Sequence, residues 1–207
     1  MADDTYVLDL LVTGAEAVSV NDDGSGNDTI RVTGVYSATI DIDLAYTVVS
    51  GTPLKADSRY YSADNNSHQL LINGTIENAY GSNGSENING NALANLLSGD
   101  QKQTGAGLSD ILLGGGGDDT MFGGSGADDL SGQADSDAIW GDSGDDRIDA
   151  GSGRDTVEGG AGADQLDGGG EAGDTLLITT DNNGDGQADF ALLLRDVLAL
   201  AEGDFLL

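Results

Sequence analysis

The sequence predicts an all-β chain whose short strands stack as a solenoid of two parallel sheets, and three observations predict it. From Gly114 to Asp167 the chain repeats every nine residues, as GGGGDDTMF, GGSGADDLS, GQADSDAIW, GDSGDDRID, AGSGRDTVE and GGAGADQLD. Every repeat has Asp sixth and an aliphatic residue or Met eighth. The 207 residues include 34 Gly, one Pro and no Cys, and carry a formal net charge of −30. A fixed period of this kind marks an architecture in which each unit buries its apolar side only against its neighbours.

The geometry of one repeat follows from its residue types. Glycines at the first, second and fourth positions permit positive-φ turns, and three residues such as Asp129-Leu130-Ser131 suffice for a short strand. Each nonapeptide is then a turn plus a strand. If every turn reverses the chain, repeat i+1 runs opposite repeat i, and repeat i+2 lies beside repeat i as its parallel neighbour. Leu112, Met121, Leu130, Ile139, Ile148, Val157 and Leu166 then fill the thin space between two sheets. The preceding GAGLSDILL, Gly105 to Leu113, keeps Asp110 and Leu112 in phase.

The same stacking puts Asp110, Asp128, Asp146 and Asp164 in one column of turns and Asp119, Asp137 and Asp155 in the other. Neighbouring strands are about 4.8 Å apart and calcium–oxygen bonds are about 2.3–2.6 Å, so a Ca²⁺ ion fits between successive carboxylates of a column. Three intervals and two give five core sites. Asp110 and Asp164 close the first column and serve one interval each, whereas Asp128 and Asp146 serve two. Turn carbonyls complete the oxygen shell, at Gly115 and Gly117, Gly124 and Gly126, Gln133 and Asp135, Asp142 and Gly144, Gly151 and Gly153, and Gly160 and Gly162. Gln133, Asp135 and Ala150 stand where other repeats have glycine. Oxygen-only ligands favour calcium over zinc or copper, and magnesium's shorter bonds do not span the gap.

Charge excludes several functions. With 37 acidic residues against 7 Lys plus Arg, the chain repels nucleic acid and anionic membrane, and no partner of either kind is expected. Gly105 to Asp167 holds fifteen acids and two arginines. Calcium should turn this polyanion into a folded stack, since binding energy becomes folding energy where no preformed site exists. Catalysis is not expected: there is no HExxH motif and His68 is the only His, read as an exposed or edge-strand residue. Repeated carboxylates in identical settings also lack the unlike environments an acid–base pair needs. MADDTYVLDLL does not read as a secretory signal peptide, and no apolar run is long enough to span a membrane.

These nonapeptides resemble the RTX repeat, GGxGxDx(aliphatic)x, of calcium-dependent secreted bacterial proteins, which implies a right-handed parallel β-roll and an extracellular location. Upstream the resemblance narrows to the C-terminal domain of serralysin-type metalloproteases. Asp23-Gly24-Ser25-Gly26-Asn27-Asp28-Thr29-Ile30 resembles its opening segment, Ile76-Glu77-Asn78-Ala79 its IENA signature, and Gly81 to Asn89 and Gly90 to Ser98 its first two repeats. By position this implies calcium contacts at Asp23, Asp28, Thr75 and Glu77, at Ser82, Gly84 and Glu86, and at Asn91, Leu93 and Asn95. Glu86 departs from the pattern's Asp, and Gly99 to Thr104 interrupts the phase. The terminal Asp204-Phe205-Leu206-Leu207 is similar to the type I secretion signal of these proteins, which makes the type I machinery a partner. The catalytic half of such a protease is missing, so any catalytic passenger domain lies elsewhere. A second reading, from resemblance to the R-modules of secreted alginate epimerases, is a polysaccharide-binding module.

Along the chain, residues 1–80 alternate apolar and polar and read as an N-terminal β-strand layer leading into the roll. Residues 81–177 are the calcium-binding roll, with Asp174 placed to add a site below Asp155. Residues 178–207 are a cap plus secretion signal, with strands at Leu176 to Thr179 and Asp189 to Leu194 and a short helix near Leu198. Asp181, Asn183, Asp185 and Asp189 have the spacing of an EF-hand loop, with Leu192 where a bidentate Glu belongs; an Asn/Gly-rich hairpin explains them equally. Phe122 and Trp140, ninth in alternate repeats, should stack on one outer face, either as a sugar-binding ladder or under a terminal segment.

Overall fold

The computed structural model describes residues 3–9, 17–21, 26–33, 39–44, 61–63, 66–73, 76–100, 107–169, 175–180 and 190–195. Strands are numbered in chain order. One sheet runs β1 (Thr5–Asp9), β3 (Thr29–Thr33), β7 (Asn78–Tyr80), β9 (Leu96–Ser98), β11 (Thr120–Ser125), β13 (Ala138–Ser143), β15 (Thr156–Glu158), β17 (Thr175–Thr180) and β18 (Phe190–Arg195). The other runs β16 (Gln165–Asp167), β14 (Arg147–Asp149), β12 (Asp129–Gln133), β10 (Ile111–Gly115), β8 (Ser85–Asn89) and β4 (Thr39–Asp43). From β7 to β17 successive strands alternate between the two sheets, and each pairs in parallel with the next strand but one, which makes the molecule a parallel β-roll. Upstream, β1, β3 and β4 extend the two sheets in parallel, and downstream β17–β18 closes the stack with an antiparallel pair.

Register follows the eighth-position residues. Leu112 pairs with Leu130, Leu130 with Ile148 and Ile148 with Leu166. In the facing sheet Leu97, Met121, Ile139, Val157 and Leu176 form the matching line. All seven repeat residues expected inside are in the core or, for Leu166 on the edge strand β16, packed against it. Each fully buried one contributes about 1.5–3 kcal/mol relative to exposure. The line continues upstream through Ile88 and Ile42 in one sheet and Ala79 and Ile30 in the other, so the apolar column begins well before the regular repeats.

A third sheet, β2 (Ala17–Asn21), β6 (Asn66–Asn73) and β5 (Tyr61–Ala63), has β6 in the middle. His68 pairs with Tyr61 and its neighbour Gln69 with Ala17. It therefore lies in a central strand rather than at an edge, because the alternating AVSVN segment supplies the second partner. The expected helix near Leu198 lies outside the described residues.

The turns correct one expectation. Positive φ occurs at the second and fourth positions of the repeat, and the first-position glycines do not need it. Gln133 (φ 75°), Asp135 (φ 73°) and Asp142 (φ 70°) adopt the left-handed conformation that glycine takes in the other repeats, so turn geometry survives these replacements. Individual glycines differ in the room around them. A Cβ on Gly144 (φ 139°) would lie 1.5 Å from the carbonyl oxygen of Gly126, whereas one on Gly116 would meet nothing closer than 3.8 Å. Gly116→Ala should therefore change stability by less than about 0.5 kcal/mol. Gly144→Ala should cost more than about 2 kcal/mol, from left-handed strain plus a backbone clash. Thermal unfolding in saturating calcium reads both, and equal losses would contradict this turn geometry.

Candidate metal centre

The stacked turns place the sixth-position aspartates on the two edges of the roll. In one column the Asp110 N–H donates to Asp128 Oδ1 (2.8 Å), Asp128 N–H to Asp146 Oδ1 (2.9 Å) and Asp146 N–H to Asp164 Oδ1 (3.0 Å). In the other, Asp119 N–H donates to Asp137 Oδ1 and Asp137 N–H to Asp155 Oδ1, each 2.9 Å. The columns thus contain the residues that the nine-residue period assigns to them. Each carboxylate ties its own rung to the one two repeats earlier.

That bond uses one oxygen. Among the described residues the Oδ2 atoms of Asp110, Asp119, Asp128, Asp137, Asp146 and Asp164 are buried and have no hydrogen-bond partner. A buried charged oxygen left unsatisfied is costly, so something must balance it. The first-position glycines show what faces these atoms. A Cβ on Gly123 would lie 2.5 Å from Asp128 Oδ2 and 2.8 Å from the Gly141 carbonyl oxygen; on Gly141 it would lie 2.4 Å from both Asp146 Oδ2 and the Gly159 carbonyl oxygen. A carboxylate oxygen and a carbonyl oxygen from successive rungs therefore share a space too small for a methyl group. Ala150 is the exception, a buried methyl at the first position. Two acceptors facing each other suit a cation, and hard oxygens at this spacing suit Ca²⁺. Among the described residues no three His, Cys, Asp or Glu groups converge. Each interval accordingly offers one carboxylate oxygen, and backbone carbonyls at the predicted turn positions would supply the rest.

Electrostatics agrees. Burial, opposed by the backbone hydrogen bond and reinforced by neighbouring acids, pushes the Asp119 and Asp128 carboxyls up to about 6 and those of Asp137 and Asp146 to about 7. Asp110, beside Glu86, Asp128 and Asp100, is pushed to about 9, again chiefly by burial. Glu86, Asp100 and Asp164 are raised for the same leading reason.

The upstream candidates differ among themselves. The Glu86 N–H donates to Asp110 Oδ1 (2.7 Å), so Glu86 continues the first column and Asp110 is an inner rung rather than its end. Glu86 is buried with Oε2 unpaired, while Ser82 Oγ donates to its Oε1 and accepts from Gly84 N–H. Asp28 is buried, its N–H donates to Glu77 Oε2 (2.7 Å), and its Oδ1 accepts from Asp4 N–H (2.8 Å). The Asn91–Asn95 turn meets its own needs: Asn95 Oδ1 accepts from Asn91 N–H, Asn95 Nδ2 donates to the Glu77 carbonyl, and Asn91 Oδ1 accepts from Leu93 N–H. No unpaired side-chain oxygen is left there, because amide groups replace carboxylates. Asp23, Thr75, Asp174, the loop residues Asp181, Asn183, Asp185 and Asp189, and the terminal Asp204 to Leu207 lie outside the described residues.

Two features escaped the reading of the period. Asp100, inside the interruption, is buried, accepts Ser125 N–H on Oδ2 (2.9 Å) and has Oδ1 unpaired. Its signal is a Gly-Asp pair opening a repeat that a six-residue insertion then hides. A second, exposed ladder uses the fifth position: Asp118 Oδ1 accepts Ser136 N–H, Asp145 Oδ1 accepts Ala163 N–H, and Ser109 Oγ accepts Ala127 N–H. Its signal is a short oxygen-bearing residue at the fifth position, as at Ser109, Asp118, Ser136 and Asp145.

A parallel roll with half-paired carboxylates along its turns defines a class, the repeat stack with cation seats along its edges. Residues 104–139 and 140–173 match the family model of the RTX calcium-binding nonapeptide repeat, four copies. Residues 104–173 are therefore RTX calcium-binding nonapeptide repeats, and the roll they form is a calcium-binding module. No curated protein matches the chain.

Raised carboxyl values set the sign of a pH effect. The folded, calcium-free ladder binds more protons than the unfolded chain between about pH 4 and 8, so its stability falls as pH rises through the folded values near 6 and 7. Acidifying calcium-free protein from pH 8 to 5.5 should therefore raise its β content by circular dichroism, while the calcium midpoint should shift upward because protons compete for the same oxygens. A calcium-free β signal that grows with pH would refute this. Within a column, Asp128→Asn keeps the Oδ1 acceptor but removes charge at a buried rung, at a cost of roughly 1–3 kcal/mol. It should raise the calcium midpoint further than Asp164→Asn at the less buried lower end; equal shifts would mean that the rungs are energetically alike.

Proposed function

We propose that the chain is the calcium-triggered folding and export module of a secreted protein, without catalytic activity of its own. The observation that carries this reading is the series of buried Oδ2 atoms of Asp110, Asp119, Asp128, Asp137, Asp146 and Asp164, which have no hydrogen-bond partner among the described residues. About five core ions would occupy the intervals from Asp110 to Asp164 and from Asp119 to Asp155, and the Glu86–Asp110 step adds a further interval. In a calcium-poor cytosol the repelling columns would keep the chain unfolded and fit for a narrow exporter; extracellular calcium near millimolar, the working range of extracellular modules, would then fold it. Kinship with the serralysin-type C-terminal domain, a separate catalytic passenger, extracellular location and recognition of Asp204, Phe205, Leu206 and Leu207 by type I machinery belong to this proposal.

One observation favours a second role. Phe122 and Trp140 stack with ring centroids 5.0 Å apart and planes 13° from parallel, and a half-buried aromatic pair of this kind suits a sugar ring. The net charge argues against an anionic polysaccharide, so a neutral one is the fitting ligand; affinity electrophoresis of Trp140→Ala tests it.

Export and folding are separable. Deleting Asp204 to Leu207 should retain the chain in cells carrying a type I exporter, while calcium-induced folding of the purified truncated chain changes little, since the ladder lies far upstream. Normal export of the truncated chain would exclude these residues as a signal. Loss of both export and folding would make them part of the cap.

A further inference from the structure

The interrupted turn differs from the regular ones at a single acceptor. Gly99 holds the first position, with its N–H donated to the Phe122 carbonyl (3.0 Å) and with Asp110 Oδ2 and the Gly123 carbonyl beside its Cα. The regular pattern then has a second-position carbonyl accepting from the third-position N–H two repeats on: Gly115 O from Ala134 (3.2 Å), Gln133 O from Ser152 (2.8 Å), Asp142 O from Ala161 (2.7 Å). In the interrupted turn the corresponding N–H, that of Ser125, is taken by the Asp100 side chain, Oδ2 at 2.9 Å. A charged carboxylate thus stands where the other turns use a neutral carbonyl.

Its second oxygen is unspent. Asp100 is 6% exposed, and Oδ1 has no partner among the described residues. Glycines make way for the Asp100 side chain: a Cβ on Gly107 would lie 2.1 Å from its Oδ2, and one on Gly124 2.8 Å from its Cβ. Asp100 also raises the carboxyls of Glu86, Asp110 and Asp128 through its charge, which places it within that column's field.

We propose that Asp100 is a calcium ligand of the interrupted turn, its Oδ1 joining Asp110 Oδ2 on the ion between this turn and Gly123–Asp128. The inference rests on the calcium-binding reading above. Every regular interval offers one carboxylate oxygen, but this one offers two, from two different residues, which neutralises a divalent ion. Affinity in oxygen-ligated calcium sites rises with ligand charge, so this interval is the tightest in the stack and fills first. Asp110 keeps its place in the column although six extra residues separate Asp100 from Gly107.

The test is calcium binding to the purified full chain by competition with a chromophoric chelator, for wild type, Asp100→Asn and Asp129→Asn. Asp100→Asn retains an oxygen for Ser125 N–H and loses only the charge. Asp129 is half-exposed and paired with Arg147, so its variant controls for net charge alone. Asp100→Asn should raise the dissociation constant of the tightest site about tenfold or more, with wild-type β content in saturating calcium, while Asp129→Asn leaves that site unchanged. Unchanged tight binding in Asp100→Asn would make the residue a cap for Ser125 only. An equal effect of Asp129→Asn would reduce the result to bulk charge, and failure of Asp100→Asn to fold in saturating calcium would make its role structural; each overturns the proposal. Wild type that binds no calcium would instead refute the underlying reading.

Discussion

Everything in the roll depends on a buried carboxylate that is only half satisfied. The sixth-position Asp accepts a backbone N–H on Oδ1, and at six of the seven rungs, from Asp110 to Asp146 and at Asp164, Oδ2 is buried with no donor among the described residues. Repeated at strand spacing along two edges, this arrangement is unfavourable as bare anions, since desolvation and like-charge repulsion both oppose it. Protons or cations reverse the sign. Folding is thereby made conditional on what occupies the turn columns.

The other positions of the repeat serve that arrangement. Second- and fourth-position residues reverse the chain in left-handed conformations, including three that are not glycine. First-position glycines keep the space between a carboxylate and a carbonyl open. The eighth-position side chain is the main apolar contribution of a repeat, so the core is thin, and stability accumulates through neighbours. Such a thin core leaves little to outweigh the columns if their charge is unbalanced.

The period made the sheets, register and columns readable, because Asp and an aliphatic residue recur with so little drift that a parallel stack two repeats apart is forced. Leu112 to Leu166 and Asp110 to Asp164 needed only counting. What the period could not reveal lies where it is broken or where one residue type has two causes. Asp100 was hidden by six extra residues in the sequence, after which the period resumes in phase at Gly107. First- and second-position glycines look alike in sequence, yet one answers to space and the other to φ. The central place of β6 depends on a pairing between segments about fifty residues apart, which no local pattern reports.

The most direct measurement is backbone structure of the purified chain at pH 7.5, by far-ultraviolet circular dichroism, in excess chelator and then with calcium or magnesium at millimolar concentration. A ladder of unpaired carboxylates predicts a largely disordered chain in chelator, cooperative gain of β structure with calcium, and far less with magnesium. A β spectrum that is the same with chelator and with calcium would contradict it.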